Sequence, residues 1–154
     1  MTVQVGAPAP DFALPGDNGE TITLSALRGK HVVLYFYPKD DTPGCTTEAK
    51  DFTAMADDFA AAGALVVGMS RDTATKHDKF IAKHDLKVKL AADVDGDVTE
   101  AYGVWVEKNM YGRTYMGIER ATFLIDDKGI VREVWRKVRV KGHAQAVLDA
   151  VKAL

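Results

Sequence analysis

Cys45 is the only cysteine among 154 residues, and its neighbours decide what a lone thiol is for. It lies in the stretch Tyr35-Phe36-Tyr37-Pro38-Lys39-Asp40-Asp41-Thr42-Pro43-Gly44-Cys45-Thr46-Thr47-Glu48, with Pro38, Thr42 and Cys45 at spacings of four and three. Thr42 before Pro43 reads as a helix start, because Thr can cap and Pro is tolerated where its missing N–H would have been unpaired. Cys45 then falls in the first turn. Unpaired N–H groups there, and a macrodipole worth roughly half a positive charge, favour a thiolate. The chemistry is that of a nucleophilic sulfur. A lone thiol on an apolar helix face is otherwise a small buried hydrophobe. A structural cysteine, however, needs neither the Pro38 and Thr42 framing, nor Gly44 for close backbone approach, nor a hydroxyl one turn away.

The elements that must hold this stretch are legible on both sides. Residues 31–37, His-Val-Val-Leu-Tyr-Phe-Tyr, form an apolar, β-rich run ended by Pro38, which suits a strand buried on both faces of a sheet. The following helix is expected to reach about Ala62, with Gly63 as its stop. Cys45, Ala49, Phe52, Ala56 and Phe59 form its inward stripe. Residues 64–69 read as a second buried strand, completing a β-α-β unit.

Further along, residues 73–84 read as a helix and 87–90 as a short strand. Asp97-Val-Thr-Glu100 is a capping pattern for a short helix reaching Tyr102. Residues 105–117 carry no clear period and are left as strand or loop. Residues 121–125 and 130–135, around the turn Asp126-Asp-Lys-Gly129, read as a β-hairpin. A closing amphipathic helix runs from about 143 to 153, with Ala146, Val147, Ala150 and Val151 on one face. Residues 1–30 hold a small hairpin and a turn among prolines and glycines.

Length and a hydrophobic fraction of 47% suit a single domain over residues 1–154. Basic and acidic residues number 20 and 22 and are interspersed along the chain, which gives no footprint for nucleic acid or an anionic membrane. No apolar run approaches the roughly 20 residues of a membrane span and no leader pattern is visible, so a cytoplasmic protein is expected. One cysteine allows neither an internal disulfide nor a thiolate metal cluster.

Pro38-x3-Thr42-x2-Cys45 resembles the peroxidatic motif of the peroxiredoxins. The longer string from Phe36 to Ala49 is similar to their bacterioferritin comigratory protein, or Q-type, subgroup. Gly6-Ala-Pro-Ala-Pro-Asp-Phe12 and Arg120-Ala-Thr-Phe-Leu-Ile-Asp126 resemble that family's opening and its downstream arginine strand. The resemblance implies an α/β, thioredoxin-like fold with a central mixed sheet flanked by helices. It implies a thiol-dependent peroxidase in which the Cys45 thiolate attacks a hydroperoxide and becomes a sulfenic acid. By position in the motif, Thr42 would hold the peroxide and the Cys45 N–H would donate to it. Arg120 would stabilise thiolate and leaving group, and Pro38 would limit water. Neither cofactor nor metal is implied.

A thiol of ordinary pKa, about 8.5, is a few per cent ionised at neutral pH, so full ionisation raises a rate only about 30-fold, about 2 kcal/mol. The larger share must come from donors fixed in advance around the breaking O–O bond.

Many subgroup members carry a resolving cysteine five positions after the peroxidatic one, where this chain has Lys50. The resemblance therefore points to a one-cysteine mechanism, with an external thiol regenerating Cys45: thioredoxin, a glutaredoxin-like protein or a low-molecular-weight thiol. The chain is taken as a monomer or weak dimer. Glu48 is either near the site or an exposed first-turn carboxylate, and Trp105, Met110, Tyr111, Tyr115 and Met116 either line an approach or pack. His77 and His84, seven apart, are read as structural or solvated rather than as metal ligands. Asp93-x-Asp95-Gly96-Asp97 is read as a turn and helix cap, since the Gly comes too early for a calcium loop. The competing function is a redox-sensing or chaperone-like binding module on the same fold, without efficient turnover.

Overall fold

A computed structural model describes residues 3–154. The central sheet is built from β3 (His31–Phe36), β4 (Ala64–Ser70), β5 (Lys89–Ala92), β8 (Ala121–Ile125) and β9 (Val131–Trp135) in the spatial order β5-β4-β3-β8-β9. β3 runs parallel to β4, and β4 to β5, whereas β8 is antiparallel to both β3 and β9. The sheet is mixed, with the expected hairpin 121–135 forming its far edge.

The apolar run of β3 is explained by cover on both sides. Val32, Leu34 and Phe36 enter one core with Ala121, Phe123 and Ile125 of β8. Val33, Tyr35 and Tyr37 enter the other with Cys45, Ala49 and Phe52, as the period of two requires. The first core is closed by the N-terminal hairpin of β1 (Ala13–Pro15) and β2 (Thr21–Thr23), and by Val98 of α4 (Asp97–Ala101). The second is closed by α1 (Pro43–Ala54), α2 (Ala56–Ala61), α3 (Ala74–His84) and α5 (His143–Lys152). No helix among the described residues is long and apolar enough to cross a membrane.

Four expectations are adjusted. The helix expected to reach Ala62 is two helices, broken at Met55 (φ −105°, ψ 10°). The inward stripe survives the break because Phe59 still packs with Phe52, ring centroids 5.8 Å apart. The short helix α4 is not capped by Asp97. Asp93 reaches forward to accept from the Val98 and Thr99 amides at 3.3 and 2.7 Å, so the acidic turn is a cap made from further upstream. Residues 105–118 form a two-stranded hairpin, β6 (Trp105–Met110) and β7 (Arg113–Ile118). Its turn residues Tyr111 and Gly112 both have positive φ, 53° and 78°, the geometry of a type I′ turn. Tyr in the left-handed region hid the signal that Asn or Asp would have given. In α5 the buried face is His143, Ala144, Val147, Leu148 and Val151; Ala146 faces solvent.

Candidate active site

β3 delivers the chain to Pro38, and the loop 38–42 turns it into α1. Thr42 sits at the N-cap position with extended backbone, Pro43 begins the helix, and no side chain caps it. The Thr42 hydroxyl instead donates to the Lys39 carbonyl at 2.9 Å, while its own carbonyl accepts from Thr46 N at 2.8 Å. The first-turn amides of α1 are therefore left without a side-chain acceptor. Cys45 is 1% exposed.

Arg120 arrives from the antiparallel neighbour. The register pairs Ala121 with Phe36, so the residue before Ala121 stands beside the end of β3 from which the cysteine loop departs. Its Nη2 donates to Cys45 Sγ at 3.4 Å, and its Nη1 to Glu48 Oε1 at 2.6 Å. The guanidinium fork thus ties the sulfur to a carboxylate one helical turn further on. Gly44 makes this approach possible, since a Cβ there would lie 3.1 Å from Arg120 Nη2.

Glu48 is not the exposed carboxylate that its place in the first turns allowed; it is 1% exposed. One oxygen meets Arg120 while Oε2 is buried without a partner. Burial outweighs the attraction of Arg120 and pushes its carboxyl up to about 7. The Tyr35 hydroxyl is likewise buried and unpartnered, its ring stacked on Phe52 at 4.8 Å. Burial, then the charge of Glu48, pushes that phenol up and keeps it neutral. Of the two readings of Glu48, the one beside the site holds: three residues after Cys45, it shares the thiol's helical face and meets Arg120.

The sequence reading missed what fixes the loop. Both histidines of α3 hold the aspartates of the motif. His77, fully buried, places Nδ1 2.6 Å from Asp40 Oδ2 and Nε2 2.9 Å from the Ala91 carbonyl. A carbonyl only accepts, so Nε2 carries hydrogen, and a second proton lies between Nδ1 and the carboxylate. The Tyr37 hydroxyl donates to the other Asp40 oxygen, and the Asp40 amide donates to Asp72 at 2.8 Å. Asp41, at φ 60°, accepts from Lys83 at 2.7 Å and from His84 at 2.8 Å; these contacts hold its carboxyl below the usual range. The seven-residue spacing of the two histidines placed them on one face, but their partners lie about 40 positions away in sequence.

Pro38 is exposed and lies at the rim of a cavity of about 320 Å³. That cavity is also walled by Trp105, Tyr115, Met116 and Ile118, with Lys39, Arg71 and Lys108 among its polar lining. The β6–β7 hairpin therefore borders the cysteine loop, although Tyr111 at its tip is 99% exposed and takes no part.

A match to the AhpC/TSA family covers residues 5–134. The peroxiredoxin Bcp of Bacillus subtilis is 50% identical over 152 residues, 99% of this chain and 97% of that one. The chain belongs to the AhpC/TSA family. Within it, the chain is a peroxiredoxin of the Bcp, or Q-type, subgroup and a thiol-dependent peroxidase. The Xanthomonas campestris bacterioferritin comigratory protein, studied as a trapped intermediate/ligand complex for that protein's alkyl peroxide reduction activity, superposes with a TM-score of 0.90 at 47% identity. The match covers 98% of this chain and 96% of that one. A cysteine-to-serine variant of Xylella fastidiosa PrxQ superposes with a TM-score of 0.94 at 38% identity, covering 99% and 98%. The thioredoxin-like α/β fold expected for this peroxiredoxin is thereby established.

Proposed function

We propose that Cys45 is the peroxidatic residue and that this peroxiredoxin works with one cysteine. The thiolate attacks the terminal oxygen of a hydroperoxide; an S–O bond forms, the O–O bond breaks, and the departing RO⁻ takes a proton to leave as water or an alcohol. Cys45 becomes a sulfenic acid. The observation that carries this reading is the Arg120 guanidinium 3.4 Å from the sulfur, a fixed cation where negative charge moves from sulfur to oxygen. The Thr42 proton is engaged by the Lys39 carbonyl, so its oxygen is free to accept from the peroxide O–H. The Cys45 N–H donates to the same peroxide. Glu48 acts through Arg120, orienting the fork. Pro38, at the rim of the adjoining cavity, restricts water at the thiolate.

With no second cysteine in the sequence, regeneration falls to an external thiol: thioredoxin, a glutaredoxin-like protein or a low-molecular-weight thiol. A single domain over residues 1–154, acting in the cytoplasm as a monomer or weak dimer, completes the reading. The test is peroxide consumption with dithiothreitol. Wild type turns over many equivalents and Cys45→Ser, nearly isosteric and a poor nucleophile, turns over none. Consumption that stops at one equivalent per wild-type chain, or that persists in Cys45→Ser, overturns it.

A further inference from the structure

The charges that look interspersed in sequence gather in space beside the cysteine loop. The 320 Å³ cavity bordered by Pro38 presents Lys39, Arg71 and Lys108 over a wall of Trp105, Tyr115, Met116 and Ile118. A second cavity, of about 230 Å³, shares Lys39 and Asp72 with it and adds Lys76, Lys79 and Lys83. Among the described residues, Lys39, Lys76, Lys79, Arg71 and Lys108 have no carboxylate within ion-pair distance.

The carboxylates nearby are already engaged. Asp40 is held by His77 and Tyr37, Asp41 by Lys83 and His84, and Asp72 by the Ser70 hydroxyl and the Asp40 amide. Arg71 is fixed over Trp105, its Cζ 3.3 Å from the ring centroid, with Nε donating to Thr99 at 3.0 Å and Nη2 to the Gly96 carbonyl at 3.2 Å. The Lys108 stem lies across Gly117. Burial, then the charge of Arg120, lowers its pKa; what joins the cavity to the thiol is the chain itself, since Pro38 and Lys39 begin the loop that leads into α1 and Cys45.

We propose that the cavity bounded by Pro38, Lys39, Arg71 and Lys108 is the docking site of the regenerating thiol, and that it selects small thiols bearing a carboxylate. The inference rests on the external-thiol reading above. Its cations would hold the carboxylate while the apolar wall receives the carbon chain, and about 320 Å³ lies at the small end of ligand pockets. The step balances: R–S⁻ attacks the sulfenic sulfur, an S–S bond forms, the S–O bond breaks, and hydroxide leaves as water with one proton. A second R–S⁻ then releases the Cys45 thiolate and R–S–S–R, so two thiols are oxidised and the sulfenic sulfur is reduced by two electrons.

The test uses Cys45 oxidised beforehand with one equivalent of hydrogen peroxide, so the peroxide's own chemistry does not enter. Reduction is timed with 3-mercaptopropionate, 2-mercaptoethanol and cysteamine, which are anionic, neutral and cationic, and each rate is divided by its thiolate fraction. At low salt the anionic thiol is expected to react roughly tenfold faster than the cationic one, with the neutral thiol between. That ratio should fall below about threefold in Lys108→Met and in Lys39→Met, and in wild type at high ionic strength.

Equal rates for all three thiols overturn the inference alone. A preference unchanged in both variants, and also in Arg71→Met, assigns it to charge outside the cavity and overturns the inference. Reduction by none of the three overturns the external small-thiol reading and this inference together. A rate for thioredoxin that falls in Lys108→Met and Lys39→Met, while the small-thiol preference stays, gives the site to a protein and overturns the small-molecule assignment.

Discussion

Replacing Gly44 by alanine places a Cβ 3.1 Å from Arg120 Nη2 and 3.9 Å from its Cζ, and the guanidinium has little freedom to retreat. Its other nitrogen is held at 2.6 Å by Glu48, a side chain 2% exposed. Nη2 must move by a few tenths of an ångström, and its 3.4 Å contact with Cys45 Sγ lengthens. A hydrogen bond to a charged group contributes about 1.5–3 kcal/mol, and deleting one fixed transition-state donor lowers a rate by about 10²- to 10³-fold. Here the donor is displaced rather than deleted, so the rate constant for reaction with hydrogen peroxide should fall about 10- to 100-fold. The backbone points the other way. Gly44 is not among the positive-φ residues, and alanine in a helix is worth roughly 0.5–1 kcal/mol over glycine. Stopped-flow oxidation of the reduced protein and its urea unfolding read the two effects separately. A Gly44→Ala rate within about threefold of wild type, in a protein equally or more stable, would refute the claim that Arg120 must come this close.

Three other outcomes follow from the same geometry. The pKa of Glu48, raised from 4.5 to about 7, makes stability fall as pH rises through that window, whereas that of His143, lowered from 6.5 to about 4 by burial and then Arg120, makes it rise over nearly the same range. Each amounts to about 3 kcal/mol and they oppose, so Glu48→Gln should uncover a rise of that order between pH 4 and 6.5 in urea titrations, relative to wild type; parallel profiles would show that Glu48 does not titrate there. His77→Ala leaves Asp40 buried without its partner and should cost about 3–5 kcal/mol in unfolding free energy, with a loss under about 1 kcal/mol contradicting the pairing. Lys50→Cys, about 7.5 Å along the axis from Cys45 and beyond disulfide reach without movement, should form an internal disulfide after one equivalent of peroxide only as α1 unwinds, more slowly than sulfenic acid formation and with loss of far-UV helical signal. A sulfenic acid that persists beside a free thiol in that variant would mean that α1 stays closed.

What could be read from the chain and what could not divides along the range of the forces involved. β3, β4, the hairpin 121–135 and the start of α1 are local patterns, and a motif and a strand start mark Cys45, Thr42 and Arg120, of which the fold sets Arg120 beside Cys45. The break at Met55 was invisible because the apolar stripe runs through it unbroken. The β6–β7 hairpin was invisible because its turn uses Tyr111 where Asn or Asp would announce it. The clamp from α3 escaped because Asp40 and Asp41 look like ordinary loop acids until the fold sets His77 and His84 against them. The basic face beside Pro38 escaped for a similar reason: its members come from positions as far apart as Lys39 and Lys108, and a nearly neutral net charge conceals them.

The antiparallel pairing of β8 with β3 also orders events in time. Cys45 is made first, and the guanidinium that bonds to it lies 75 residues later, roughly 4 to 15 s of synthesis at about 5–20 residues per second. During that interval the thiol has no Arg120 beside it, and the strand that will carry Arg120 does not yet exist. A nascent chain that meets peroxide early therefore presents its thiol without that cation, and the pair forms only when the chain has closed its own sheet.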